Sequence, residues 1–185
     1  MNRRGVRAVG ISGEDANLIR ARKKLATVYE DDGTAPKKVD IGYVGEVESI
    51  NTDILQTLIQ NDYVPVIAPI GVGADGENYN INADYVAAKV AGALKAERLM
   101  LLTDVEGVYK DFNNKDSFIS ILTATEAREY IRDGIIKGGM IPKIEACLEA
   151  MDEGVAKAHI IDGRMPHSLI LEMFTAGGVG TQVIR

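Results

Sequence analysis

Two short stretches carry side chains whose types and spacing could do chemistry. In Asn80-Ile81-Asn82-Ala83-Asp84 three short polar side chains alternate with Ile and Ala. An extended backbone would send Asn80, Asn82 and Asp84 to one side, where amide and carboxylate groups could hold a polar ligand. If a helix has already begun there, Asn82 is its N-cap and Asp84 lies in its first turn, where a carboxylate suits the dipole. In Gly138-Gly139-Met140-Ile141-Pro142-Lys143 two glycines precede a proline and a lysine. Glycines let backbone N–H groups approach an oxygen-rich ligand, a helix amino end adds positive potential, and Lys143 adds a full charge. Those are the parts of an anion site. The plain alternative is a solvated lysine after a turn, although a lysine in a first turn works against the dipole.

The elements that must position these residues alternate along the chain. Val64–Ile70 is an apolar run that reads as a buried strand, followed by the glycine-rich loop 71–78 and a helix over 84–96. That helix carries Val86, Ala87, Val90 and Leu94 on one face with little bulk, which lets it lie close on a sheet. Leu99–Thr103 reads as the next strand, ending in Thr103-Asp104-Val105-Glu106-Gly107. Thr103-Asp104 is either a turn cap or a ligand contact. Proline favours the first helical position, so Pro142 predicts a helix starting there and running to Glu153, with Gly154 at its end. The loops 71–82 and 103–107 and the Gly138-Gly139 turn are expected at one edge, the carboxyl ends of the strands, where open α/β sheets bind ligands.

Elsewhere, 6–12 reads as a strand, and a chain that opens on one predicts a further segment before it. The pieces 25–30 and 39–47, joined by Asp31-Asp32-Gly33-Thr34-Ala35-Pro36, predict an antiparallel excursion turning at Asp32-Gly33. The basic stretches 20–24 and Lys37-Lys38 suit solvated edges. Helices are expected over 50–61, 123–133 and 166–174, and strands over 158–161 and 181–184.

Composition narrows the class. The 185 residues are 46% hydrophobic, with a net charge of -6 and a pI near 5.0, which suits a folded core and argues against a general nucleic-acid or anionic-membrane surface. Cys147 is the one cysteine, which excludes an internal disulfide framework and a multi-cysteine metal centre. No stretch has signal-peptide or membrane-span character, so a cytoplasmic protein is expected. The P-loop, the Rossmann glycine fingerprint and the Gly-x-Ser-x-Gly elbow are all absent. By position His159 is packed inside a strand, His167 is either exposed or a small-molecule contact, and Cys147 belongs to a helix's core face.

Taken together, Val64–Asp84 (VPVIAPIGVGADGENYNINAD), Leu101–Val108 (LLTDVEGV), Gly138–Lys143 (GGMIPK), His159–Arg164 (HIIDGR), Pro166–Phe174 (PHSLILEMF) and Val179-Gly180-Thr181 resemble the N-acetylglutamate kinases of the amino acid kinase family. The match runs in order along nearly the whole chain and includes Gly42–Val47. The resemblance implies phosphorylation of the γ-carboxylate of N-acetyl-L-glutamate by MgATP, the second step of arginine biosynthesis. ATP with Mg2+ would be co-substrate, with no tightly bound cofactor and no resident metal.

Carried over by resemblance, Asn80 holds the acetylglutamate and Asn82 is a wall of that site. Asp84 orients catalytic lysine, and Lys143 stabilises the transferred phosphoryl group. Thr103, Asp104, Gly107, Val108, Gly139 and Met140 form the nucleotide wall. His167, Glu172 and Gly180 are similar to an arginine feedback site, and family members that have one are usually homo-oligomers. The departures are equally specific. The family's Lys-x-Gly-Gly phosphate loop, its triple-glycine loop, the arginine that grips the α-carboxylate, and the amino-terminal helix of arginine-sensitive hexamers have no counterpart in the sequence. One of two catalytic lysines goes with them, and Glu14 stands within a stretch where Ser-Gly-Lys-Asp is common. The chain corresponds to the family's pattern from roughly a third of the way in.

The resulting expectation is an α/β, three-layer αβα sandwich with a mainly parallel central sheet, an amino acid kinase (carbamate kinase-like) fold lacking its amino-terminal third. Residues 1–95 would be the rest of an acyl-amino-acid-binding domain and 96–185 a nucleotide-binding domain. Two other functions stay open: a non-catalytic module binding nucleotide or arginine, and another member of the family acting on aspartate, glutamate, carbamate or UMP. The NINAD and HIIDGR runs together disfavour the latter.

Overall fold

The computed structural model describes residues 1–28 and 35–185; the expected turn at Asp32-Gly33 lies outside them. The chain forms two compact units, Met1–Val86 and Ala87–Arg185, and the division falls inside a helix.

In the first unit, β1 (Ala8–Ile11) is followed by two long strands, β2 (Ile19–Val28) and β3 (Lys37–Ile50), then α1 (Asp53–Gln60), β4 (Val64–Ile67), β5 (Ile70–Val72) and β6 (Asn78–Asn80). The helix α2 (Ala83–Ala93) begins here and continues into the second unit. β1 and β4 pair in parallel, Ala8 opposite Val64 through Ile11 opposite Ile67. β2, β3, β6 and β5 close a small barrel, with β2 antiparallel to β3 and β5 antiparallel to β6. The apolar run 64–70 is therefore two strands and not the single one its hydrophobicity predicts. Pro69, which has no N–H for a ladder, marks the break, and Ile70 leaves the β1–β4 pair to join the barrel. The excursion strands are also longer than their alternating pieces, 25–30 and 39–47, suggested. Leu18, Ile19, Leu55, Tyr79 and Ile81 fill this unit's core.

The second unit contains β7 (Arg98–Thr103), a short hairpin of β8 (Val108–Tyr109) and β9 (Phe118–Ile119), β10 (Ile121–Thr123), α3 (Ala124–Arg132), α4 (Met140–Asp152), β11 (Lys157–Asp162), α5 (Ser168–Phe174) and β12 (Thr181–Ile184). Its sheet has the order β10-β12-β11-β7. β10 with β12 and β11 with β7 are parallel, and β11 with β12 is antiparallel. β11 is buried at Ala158, His159, Ile160 and Ile161 in succession, as a strand covered on both faces must be. Helix α4 packs Ile144, Cys147 and Met151 into that core, which confirms the apolar setting read for Cys147. Lys89 of α2 sits between Glu149 and Glu153 of α4, at 2.7 and 2.6 Å.

Helix α3 starts on the clearest local signal in the chain. The Thr123 hydroxyl accepts from Glu126 N–H at 3.2 Å, and the Glu126 carboxylate accepts from Thr123 N–H at 2.9 Å and from its hydroxyl at 2.7 Å. That reciprocal box satisfies two end groups at once. Thr123→Ala is expected to lower the unfolding free energy of this unit by about 1 kcal/mol, read from urea unfolding; a change below a few tenths would show the cap to be idle. Among the described residues no helix is long and apolar enough to cross a membrane.

Candidate functional site

The second unit holds a cavity of about 740 Å³, the size of a small-molecule site. Its walls are the segments that follow β7, the β8 strand with the loop after it, and the approach to α4. Thr103, Asp104, Gly107, Val108, Gly139, Met140 and Lys143 all line it. Two of the three loops expected at one edge, 103–107 and the Gly138-Gly139 turn, therefore meet around one volume. Tyr109, Lys110, Phe112 and Lys137 also line the cavity, and sequence reasoning missed them. None of them belongs to a motif: they come from β8, the segment after it and the approach to α4, which carry no periodicity.

Helix α4 begins at Met140, with Gly139 as N-cap, and not at Pro142 as predicted. Pro142 sits in the first turn instead, where a missing N–H costs nothing because those groups have no intrahelical acceptor. Gly138 has φ 56°, a left-handed conformation that suits glycine. Among the described residues no side chain caps the helix, and its first turn has no acid, so nothing within that turn offsets the positive end of the dipole. Lys110, Lys137 and Lys143 add positive charge to this cavity and Asp104 and Asp111 add negative charge. Polyanions with an accompanying cation suit such a lining.

The far wall is rigidly built. Tyr109 donates to Glu106, and Lys115 bonds Glu106 at 2.7 Å and lies 3.3 Å from the Tyr109 hydroxyl. The hydrogen bond from Lys115, then that from Tyr109, holds the Glu106 carboxyl below its ordinary value. Tyr109 meets Phe118 and Phe112 edge-on, with centroids 5.2 and 6.0 Å apart. A Cβ on Gly107 would lie 2.5 Å from the Thr181 hydroxyl oxygen, so only glycine lets the wall come this close.

In the first unit, Asn80 ends β6 and is exposed, Tyr79 and Ile81 are buried, and Asn82 is exposed. Asn82 Oδ1 accepts from the N–H of Asp84 at 2.9 Å and of Tyr85 at 3.3 Å. The capping reading of Asn82 is thus realised, while Asn80 stands outside the cap. Asp84 is half-buried in the first turn of α2.

The three residues compared to an arginine site fall differently. His167 is exposed, with φ 63°, and precedes α5, which starts at Ser168 and not at Pro166. Glu172 is buried and spends both oxygens internally: one lies 2.7 Å from His159 Nδ1, and the other accepts from the N–H of Val179 at 2.7 Å and of Gly180 at 2.9 Å. Gly180 is buried. His159 is packed as expected, with a carboxylate partner that no sequence spacing announced. In the HIIDGR run, Asp162 accepts from Arg164 Nε at 2.9 Å, from its guanidinium terminus at 2.8 Å and from its backbone N–H at 2.8 Å. The Arg164 contacts bring the Asp162 carboxyl down to about 2; the pair closes the turn after β11. Among the described residues no cluster of three His, Cys, Asp or Glu side chains could hold a metal ion.

Comparison with known proteins gives this geometry a setting. The family described as "Amino acid kinase family" matches residues 1–162. The acetylglutamate kinase of Syntrophobacter fumaroxidans is 52% identical over 185 residues, covering 100% of this chain and 61% of that protein. The chain thus spans about 61% of the length of such relatives. Among solved structures, a protein from Streptococcus mutans superposes with TM-score 0.74 at 29% identity, covering 99% of this chain and 63% of that one. The N-acetylglutamate synthase of Neisseria gonorrhoeae, complexed with coenzyme A and N-acetyl-glutamate, gives TM-score 0.78 at 26% identity, covering 98% of this chain and 38% of that one.

Proposed function

Because the chain belongs to the amino acid kinase family, and has its α/β fold of parallel-paired strands and packed helices, we propose that its cavity binds MgATP and that it serves transfer of the γ-phosphoryl group to the γ-carboxylate of N-acetyl-L-glutamate. The observation that carries the proposal is the cavity itself: the nucleotide-wall residues and Lys143, drawn from segments far apart in sequence, line one volume. The 52% identity with an acetylglutamate kinase along the whole chain supports the choice of substrate.

In this reading a γ-carboxylate oxygen attacks the γ-phosphorus, the bond from that phosphorus to the β–γ bridging oxygen breaks, and ADP and an acyl phosphate leave. The carboxylate is already ionised at neutral pH, so no general base is required. Catalysis then rests on positioning and on neutralising charge that spreads over the transferred group. Lys143, in the first turn of α4, supplies charge there. Asp84 takes the part of a catalytic carboxylate, Asn80 and Asn82 hold the acetylglutamate, and Mg2+ arrives with the phosphates. Val108 and Phe112 offer apolar surface to the base. Arginine as a feedback ligand near His167, Glu172 and Gly180, a homo-oligomer and a cytoplasmic location belong to the same reading.

A second reading, a module that binds nucleotide without turnover, is favoured by one observation: every residue that lines the cavity belongs to the second unit. Acetylglutamate-dependent ADP release from the purified chain, with MgATP binding measured by calorimetry, separates the two. Release above the acetylglutamate-free background supports the kinase, binding with background rates supports the module, and no binding overturns both.

A further inference from the structure

We infer that the Thr181 hydroxyl, seated by the Glu172 carboxylate, is the clasp that positions the Gly107–Tyr109 wall of the cavity. Thr181 is fully buried at the start of β12, where it pairs with Ile160 of β11. Its Oγ1 accepts from the Val108 N–H at 2.8 Å and donates to the Ile119 carbonyl at 2.6 Å. Val108 and Ile119 are directly opposite one another in the β8–β9 hairpin. One hydroxyl therefore bonds both strands of the hairpin that carries the wall. It uses its single donor and one acceptor lone pair to do so.

The hydroxyl is itself held from two sides. Glu172 accepts from the N–H groups of Val179 and Gly180, the two residues before Thr181, and its other oxygen is fixed by His159. On the opposite side a Cβ on Gly180 would come within 2.3 Å of the Ile160 carbonyl, so the segment lies hard against β11. Contacts run from the His159–Glu172 pair through residues 179–181 to Val108, which lines the cavity. Thr181 does not line it, and acts on any ligand through the wall. Val108 is 2% exposed, so its N–H has no ready recourse to water if the hydroxyl is removed, and an orphaned donor of this kind drives a backbone shift or a lasting penalty.

The test compares Thr181→Val, which keeps shape and loses both bonds, with Thr181→Ser, which keeps the hydroxyl, in the 185-residue chain. The prediction rests on the nucleotide reading for its binding arm. Calorimetry with MgATP is expected to show a Kd raised about tenfold or more for T181V and within about twofold for T181S. Amide exchange without ligand is expected to show Val108 losing protection in T181V while Val183, in the same strand as the substitution, keeps it. T181V with wild-type affinity and a protected Val108 amide overturns the clasp. If the unaltered chain does not bind MgATP, the nucleotide reading fails and the exchange arm alone decides. Should T181V not fold, T181A, which leaves room for a water to replace the hydroxyl, is read in both arms by the same criteria.

Discussion

Replacing Lys143 with Met is expected to lower acetylglutamate-dependent ADP release about 10²–10³-fold, the usual cost of losing one group aimed at charge developing in a transition state. The drop belongs mainly to kcat, because the charge that Lys143 meets grows as the phosphoryl group departs. Lys143→Arg keeps a cation but not the compact ammonium, so it recovers only part of the rate. Lys143 is not among the buried residues of α4, and melting temperature is expected to change little in either variant. Turnover within tenfold of the unaltered chain in K143M would remove Lys143 from the transfer step while leaving nucleotide binding to be judged by calorimetry.

The largest expected effect on stability is at Glu172. Glu172→Ala removes the partner of buried His159 and the acceptor for two backbone N–H groups, and breaking such a buried pair costs about 3–5 kcal/mol. For a domain of this size that is roughly 6–20 °C in melting temperature. Burial alone would raise the Glu172 carboxyl, but the hydrogen bonds from Val179, His159 and Gly180 outweigh it and leave the pKa lowered. The sign follows: the stabilisation is complete above the unfolded value, about 4.3, and is lost as pH falls through the lower folded value. The stability gap between the unaltered chain and E172A should therefore narrow in acid. The same variant weighs the arginine proposal. Calorimetry showing arginine bound by the unaltered chain and lost in E172A, with little change in melting temperature, would make Glu172 a ligand contact and sink the internal role assigned to it. A large melting shift is what the buried bonds require.

Much of this could be read along the sequence because the signals were local. Thr123 and Glu126 are three residues apart and form the capping box that begins α3. Asn82 caps α2 through N–H groups two and three residues on. The apolar succession 158–161 identified a buried strand, and the Gly138-Gly139 turn with Lys143 identified a cavity wall. What escaped was set by partners distant in sequence. Nothing in 64–70 tells its apolar residues that Val64–Ile67 pair with β1 while Ile70 pairs with β6; both are simply hydrophobic, and Pro69 between them lay inside the run read as one strand. The barrel closure of β2, β3, β6 and β5 likewise rests on pairings no periodicity encodes. His159 and Glu172 are 13 residues apart, a spacing that places nothing together until β11 and α5 pack. Pro142 shows the limit of a preference: the first turn accepts proline at several positions, so the residue named the helix's start without fixing it.

β12 enters the sheet between β10 and β11, both of which precede it in the chain. The 62 positions from Ile119, the last residue of β9, to Thr181 take a ribosome roughly 3–12 s to add at about 5–20 residues per second. For that interval the β8–β9 hairpin has been synthesised but its hydroxyl partner has not; β10 follows the hairpin at once, while β11 is complete only at Asp162, so both edges that β12 will join stand open only for the last part of it. The nascent chain cannot finish its cavity segment by segment. A pause in translation before codon 181 would prolong that window.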